Sequence, residues 1–271
     1  MQSLSYSSQR SQELSQRLDA VRDSIAQACT DYSAVRTANS PEPELTVVTK
    51  FFPASDVAAL YDLGVRTVGE NRDQEASAKA EDLAQYVSSD DSLRWSYIGQ
   101  LQSNKAKSVV KYASEVHSVD RLSLVKALDK AFALQTSRFE NGEGVAPSAY
   151  QNGLKCLVQV SLEDDGVSTA GLAAQGQRGG ASVNTLVQIA EALEDAPGLW
   201  CGGVMAVAPL GMEPDRAFEK LWNISQNLQK EFPQALSISA GMSSDLEAAI
   251  RWGSTNVRIG SQIMGPRLSV G

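Results

Sequence analysis

The sequence predicts an α/β protein: a single (β/α)8 TIM-type barrel with an additional N-terminal helix. Three observations carry that expectation. Eight short apolar runs recur from residue 45 onward. Amphipathic segments of helical period lie between them. The length of 271 residues suits the ~250 residues of a closed barrel. Strands that alternate with helical crossovers pair in parallel. An open doubly wound sheet is the alternative, but no G-x-G-x-x-G turn follows the first strand.

Residues 1–43 are expected to form a helical extension packing on the barrel, and residues 44–271 the barrel itself. In "SQELSQRLDAVRDSIAQACTDY", Leu14, Leu18, Val21, Ile25 and Ala28 fall on one helical face. The prolines of "TANSPEPE" then break the pattern. Strand-like runs follow at "LTVVTK" (45–50), "RTVGE" (66–70), "RWSYIG" (94–99) and "EVHSV" (115–119). The second half supplies "LKCLVQVSL" (154–162), "CGGVMAVAP" (201–209), "LSISAG" (236–241) and "NVRIG" (256–260). Helical segments read at 54–64, 119–135, 183–196, 213–232 and 243–253. The polar stretch "TSRFENGEGVAPSAYQNG" (136–153) reads as a mobile loop on the barrel's N-terminal side.

Composition narrows the function classes. The formal charge of −8 argues against nucleic acid, whose phosphates want a basic stripe. No stretch reaches membrane-spanning length, and the first residues contain no apolar signal-peptide core. Cys29, Cys156 and Cys201 are far apart and form no C-x-x-C, a reducing-compartment pattern from which a cytoplasmic protein is expected. His117 is the only histidine, which argues against a histidine metal site and against Ser–His or Cys–His catalysis.

In a barrel the loops after the strands' C-terminal ends build the site. Lys50 ends the first run. It is either a snorkelling surface lysine or a Schiff-base amine whose pKa falls among aromatic neighbours. In "GENRDQE" (69–75), Asn71 is a candidate cap with Gln74 as its partner, and a candidate ligand contact. Glu70 reads as a cap or as a partner of Arg72. In "ISAGMSSDLEAAI" (238–250), Ser244 and Glu247 have capping-box spacing, while the turn at Met242 and Ser243 could hold an anion. "NVRIGSQIMG" (256–265) places Arg258 inward, followed by a second glycine–hydroxyl turn at Gly260 and Ser261. A lysine amine facing a phosphate cradle describes pyridoxal 5′-phosphate. Its aldehyde would condense with Lys50 and its phosphate would rest on residues 242–243 and 260–261.

The motifs "VVTK", "GENRDQE", "IGQLQSNK", "HSVDR", "GVMAVAP", "GMSSDLEAAI" and "VRIGSQIMG" run in order from about residue 45 to 266. Together they resemble the pyridoxal-phosphate homeostasis protein family, whose fold is like the N-terminal barrel of alanine racemase. The resemblance implies that Lys50 carries the cofactor and that Ser243, Gly260 and Ser261 cradle its phosphate. It also implies that Arg258 faces the pyridine nitrogen and that Asn71 lies near the ring. The chain departs from the family at "WSYIG", where Ser96 replaces a common histidine, and at "LEDDGVSTAGLA" (162–173), which lacks a lysine often found there.

A guanidinium beside the pyridine nitrogen disfavours protonating it and weakens the ring as an electron sink. Racemisation also wants a second acid/base, supplied in alanine racemase by a further domain; only eleven residues follow Gly260. A protein that stores, buffers or delivers the cofactor, without strong catalytic activity, is therefore expected. A racemase-type amino-acid enzyme using Tyr97 or Asn71 is the alternative. A third reading is a phosphosugar barrel with Glu70 or Glu163 as catalytic carboxylates. The implied partners are pyridoxal phosphate and the apo-enzymes that use it, and a monomer or weak dimer is expected.

Overall fold

Eight parallel strands close into a barrel in chain order: β1 (Glu44–Val48), β2 (Thr67–Glu70), β3 (Arg94–Tyr97), β4 (Glu115–Val119), β5 (Leu154–Gln159), β6 (Leu199–Met205), β7 (Ser237–Ser239) and β8 (Asn256–Ile259). The computed structural model describes residues 4–30, 35–37, 40–88, 91–163 and 180–266. Closure is made where β1 meets β8, from Glu44 opposite Asn256 to Val47 opposite Ile259. The strands read as continuous runs because both faces are covered: β2, β4 and β8 are buried along their whole length.

The helices outside the wall are α2 (Ala54–Asp62), α3 (Asp73–Leu83), α4 (Ala106–Tyr112), α5 (Leu122–Glu140), α6 (Val183–Glu194), α7 (Pro214–Glu231), α8 (Leu246–Arg251) and the short α9 (Ser261–Met264). They follow α1 (Ser8–Cys29), which starts at Ser7, whose Oγ accepts from the Arg10 N–H. Leu14, Leu18, Val21, Ile25 and Ala28 form the buried face of α1 and pack against α2, α8 and α9. Arg10 joins two of these helices. Its guanidinium donates to Asp56 of α2 at 2.6 Å and to the Met264 carbonyl of α9 at 3.0 Å.

Three local expectations are corrected. The polar stretch 136–153 is not a loop from its start, because α5 runs on to Glu140. "TSRFE" contains no breaker, and the helix ends only before Gly142, at φ +79°. The rest of that connection is tied down by the Gln135 amide on the Val145 carbonyl (2.6 Å) and by the buried Ala149. Asn71 does not cap α3: Arg72 occupies the N-cap without a side-chain bond. Nor do Ser244 and Glu247 form a capping box, since α8 begins at Leu246 behind Asp245. The Asp245 carboxylate reaches back instead, to the Met242 N–H at 2.6 Å.

Cys156 and Cys201 face each other in register on β5 and β6 and are fully buried. Desolvation pushes both thiols up, Cys201 to about 11, so they act as small apolar side chains. Among the described residues no helix is long and apolar enough to cross a membrane, and no group of acidic, histidine or cysteine side chains could hold a metal.

Candidate functional site

The C-terminal ends of β1, β2, β7 and β8 are neighbours around the wall. Lys50, Asn71, Met242, Ser243, Arg258, Gly260 and Ser261 all lie at these ends. The two hydroxyl turns are adjacent, because the Arg258 N–H donates to the Gly241 carbonyl at 3.0 Å. Gly260 closes the ring against β1: a Cβ there would stand 3.2 Å from both the Cβ and the carbonyl of Val48.

Lys50 follows β1 in a tight turn closed by the Phe52 N–H on the Thr49 carbonyl at 3.1 Å. Its neighbour Phe51 has φ +72°, the only positive φ of a non-glycine residue among those described. Such a conformation is disfavoured for a residue with a Cβ and persists only when surroundings enforce it. The Lys50 ammonium lies 5.9 Å from the Phe51 ring centroid, and the Arg72 guanidinium 5.0 Å from the same ring. Lys50 therefore stands in an aromatic, partly buried setting.

Beneath this turn lies a charged cluster. Glu70 does not pair with Arg72; its Oε1 accepts from Lys79 Nζ and from the Thr49 hydroxyl, each at 2.7 Å. Lys79 also donates to Glu75 Oε1 (2.6 Å) and to the Thr49 carbonyl (2.9 Å). Glu75 Oε1 in turn accepts from the Phe51 N–H at 2.6 Å. Burial pushes the Glu70 carboxyl up, opposed by the Lys79 charge.

Asn71 comes next along the chain. Its main chain is pressed against Gly99, where any Cβ would fall 2.3 Å from the Asn71 carbonyl. That carbonyl also accepts from the Tyr97 hydroxyl at 3.4 Å. The side-chain Oδ1 of Asn71 is inaccessible to solvent and has no hydrogen-bond partner among the described residues. An orphaned acceptor of this kind calls for an outside donor.

Arg258 is held by neutral acceptors: the Ser239 Oγ at 2.5 Å and the Ala206 carbonyl at 2.9 Å. Desolvation lowers the guanidinium to about 10, with Asp245 opposing, so it stays charged at neutral pH. Behind Ser239 the chain of contacts continues to His117 Nδ1 (3.1 Å), and from His117 Nε2 to Glu115 (2.9 Å). Complete burial lowers the histidine, outweighing Glu115, and keeps it neutral. Burial alone would raise the Glu115 carboxyl, but the His117 hydrogen bond and Lys155, 3.7 Å away, outweigh it and bring it down. One tautomer satisfies both ring nitrogens, the Ser239 hydroxyl lying also 3.3 Å from Asn256 Oδ1, which has the Thr46 hydroxyl as a second donor. His117 Nε2–H donates to Glu115, and Nδ1 accepts from the Ser239 hydroxyl, whose oxygen accepts from Arg258.

The cradle is built from main chain and hydroxyls. Gly241 has φ +94°, and a Cβ there would meet Ala249 at 2.7 Å, so only glycine allows this turn. The Met242 N–H is taken by Asp245, whereas the amides of Ser243 and Ser261 donate to no acceptor among the described residues. Of the third reading's carboxylates, Glu70 is locked in its ion pair, while Glu163 and Leu162 receive Lys220 on their carbonyls. Residues 164–173 of the departing loop lie outside the described residues.

Sequence reasoning missed the two supports of the site. The pairing of Glu75 with Lys79 was legible as an i,i+4 pair, but its inward turn towards Thr49 was not. His117 was set aside as non-catalytic, with no sign that it would stand behind Arg258.

Comparison with known proteins bears on the family and the fold. No protein-family model matches the chain. It is 38% identical over 266 residues to a curated relative from Mycobacterium tuberculosis (strain H37Rv) named "Pyridoxal phosphate homeostasis protein", covering 95% of this chain and 94% of that one. The solved structure of PipY from Synechococcus elongatus with PLP bound superposes with a TM-score of 0.69 at 28% identity, covering 93% of this chain and all of that one. Alanine racemase from Corynebacterium glutamicum shares the fold alone, with a TM-score of 0.59 at 13% identity over 96% of this chain and 62% of that one.

Proposed function

The chain belongs to the pyridoxal phosphate homeostasis protein family, and from that premise we propose that it binds pyridoxal 5′-phosphate through Lys50 and stores, buffers or delivers it. The residues present suit that group. The orphaned Asn71 Oδ1, the unengaged amides of Ser243 and Ser261, and the Lys50 amine all lie at one set of strand ends. Lys50 would hold the cofactor covalently, its amine forming a C=N bond to the aldehyde carbon with release of one water. Ser243, Gly260 and Ser261 would hold the phosphate. Met242 shapes that turn through its bond to Asp245. Arg258 would face the pyridine nitrogen, and Asn71 would lie beside the ring. When bound, the cofactor supplies an electron-withdrawing ring that acidifies bonds on an attached amine.

The observation that carries storage over turnover is Arg258. Its cation is pinned by Ser239 and Ala206 and remains charged. A fixed cation there disfavours a protonated pyridine, so the ring is kept a weak electron sink. The racemase alternative needs an acid/base near neutrality, and Tyr97 is a poor one. Burial, aided by Asp73, pushes its hydroxyl up to about 12, and its proton already rests on the Asn71 carbonyl.

Delivery to apo-enzymes, a cytoplasmic location and a monomeric or weakly dimeric state complete the proposal. The test is the absorption spectrum of purified protein mixed with pyridoxal phosphate, for the native chain and for Lys50→Ala. A band near ~420 nm in the native protein and none in the variant supports Lys50 as the attachment point. The same band in both would move the attachment elsewhere, and no band in either would end the cofactor reading.

A further inference from the structure

The main chain on both sides of Lys50 is gripped by one ionic cluster. We propose that Glu75, with Lys79 and Glu70, positions the Lys50 amine, setting how readily it captures an aldehyde while leaving phosphate binding untouched. The inference rests on the cofactor reading above.

Lysine has three N–H donors, and those of Lys79 meet three acceptors: the Thr49 carbonyl, Glu70 Oε1 and Glu75 Oε1. Thr49 is bound a second time, through its hydroxyl to Glu70. Phe51 is bound through its N–H to Glu75. The cluster thus touches the residue before Lys50 and the residue after it.

An ordinary helix pair of this spacing sits in solvent and contributes little. Here the side chain of Lys79 is 6% exposed and that of Glu70 1%. Burying a lysine and a carboxylate, with a second carboxylate only 24% exposed beside them, is a poor route to stability when apolar side chains could fill the same space. What the charges supply is direction. Phe51 is held at φ +72° with the Glu75 carboxylate on its N–H. Without that acceptor Phe51 can relax to negative φ, and the turn that aims Lys50 changes with it. Among the described residues no hydrogen bond or ion pair joins Glu75 to the cradle, which is built on β7 and β8.

The experiment compares Glu75→Ala, Glu75→Gln and the native chain for two ligands. These are pyridoxal 5′-phosphate and pyridoxine 5′-phosphate, which carries an alcohol in place of the aldehyde. Glu75→Ala is expected to weaken the aldehyde about tenfold, the scale of one hydrogen bond to a charged group, and to leave the alcohol unchanged. Glu75→Gln restores capture, because its carbonyl still accepts from Phe51. Glu75→Asp keeps the charge but shortens the reach, so it shows the same split and replaces the alanine variant if that does not fold. Unchanged aldehyde affinity, or an equal loss for both ligands, overturns the proposal. A readout independent of the cofactor is trinitrobenzenesulfonate labelling of Lys50, followed by peptide mass spectrometry. A several-fold change in Glu75→Ala supports positioning even if the native chain binds neither ligand, and an unchanged rate overturns it.

Discussion

Arg258 and Lys50 stand on neighbouring strand ends, yet the protein holds them in opposite ways. Arg258 is fixed through its own side chain, by a hydroxyl and a carbonyl that carry no charge. Lys50 is fixed through the residues beside it, with Lys79 on the Thr49 carbonyl, Glu70 on the Thr49 hydroxyl and Glu75 on the Phe51 N–H. The first arrangement suits a spectator cation that must not move. The second suits an amine whose side chain has to swing while its base stays still. The difference also appears in what each region stores: a satisfied chain of neutral donors behind Arg258, and strain with an unsatisfied Glu70 Oε2 beneath Lys50.

Substitutions can break this contrast. The largest effect is expected from Lys79→Met, which strands the buried Glu70 carboxylate and should cost about 3–5 kcal/mol. At about 2–4 °C per kcal/mol, thermal unfolding should fall by roughly 10 °C. The double variant Lys79→Met/Glu70→Gln should recover most of that loss in the same melt. Arg258→Met should cost less, about 1–3 kcal/mol, because it leaves only neutral acceptors unpaired. A melting loss larger than that of Lys79→Met would reverse the comparison.

Acid should separate the two regions next. His117 has a lowered pKa in the folded state. Its contribution is therefore fully present above the unfolded value of ~6.5, where neither state holds the proton, and is lost as pH falls below it. The slope is at most about 1.4 kcal/mol per pH unit. Melting curves between neutral and mildly acid pH should show it, and His117→Gln should flatten it. A slope that persists in that variant would place the acid sensitivity elsewhere. The smallest effect belongs to Arg10→Lys, which keeps a cation beside the buried Asp56 carboxylate but loses the planar fork, about 1 kcal/mol. Since Arg10 bridges α2 and α9, it should loosen both regions equally in hydrogen exchange.

The barrel was legible because strands covered on both faces read as continuous, mainly apolar runs, and eight such runs stand out between helical periods. Lys50 and Arg258 were legible as charges ending those runs. The two capping boxes were misread because tertiary contacts overrode local spacing: Asp245, not Ser244, binds the turn at Met242. The partner of Glu70 could not be read either. Arg72 is near it in sequence, but α3 must form before Lys79 comes back beneath Thr49. The extension of α5 was hidden by polarity, since an exposed helical turn and a loop draw on the same residues.

The apolar face of α1 rests on α8 and α9, the helices that follow the last two strands, as well as on α2. On the ribosome this makes the first helix wait for the last. Leu14, Leu18, Val21 and Ile25 emerge early, and two of their three partner helices are synthesised only from Leu246 onward. Until then the nascent chain carries an open apolar stripe, a natural handle for a chaperone. Its disappearance would signal that the barrel has closed.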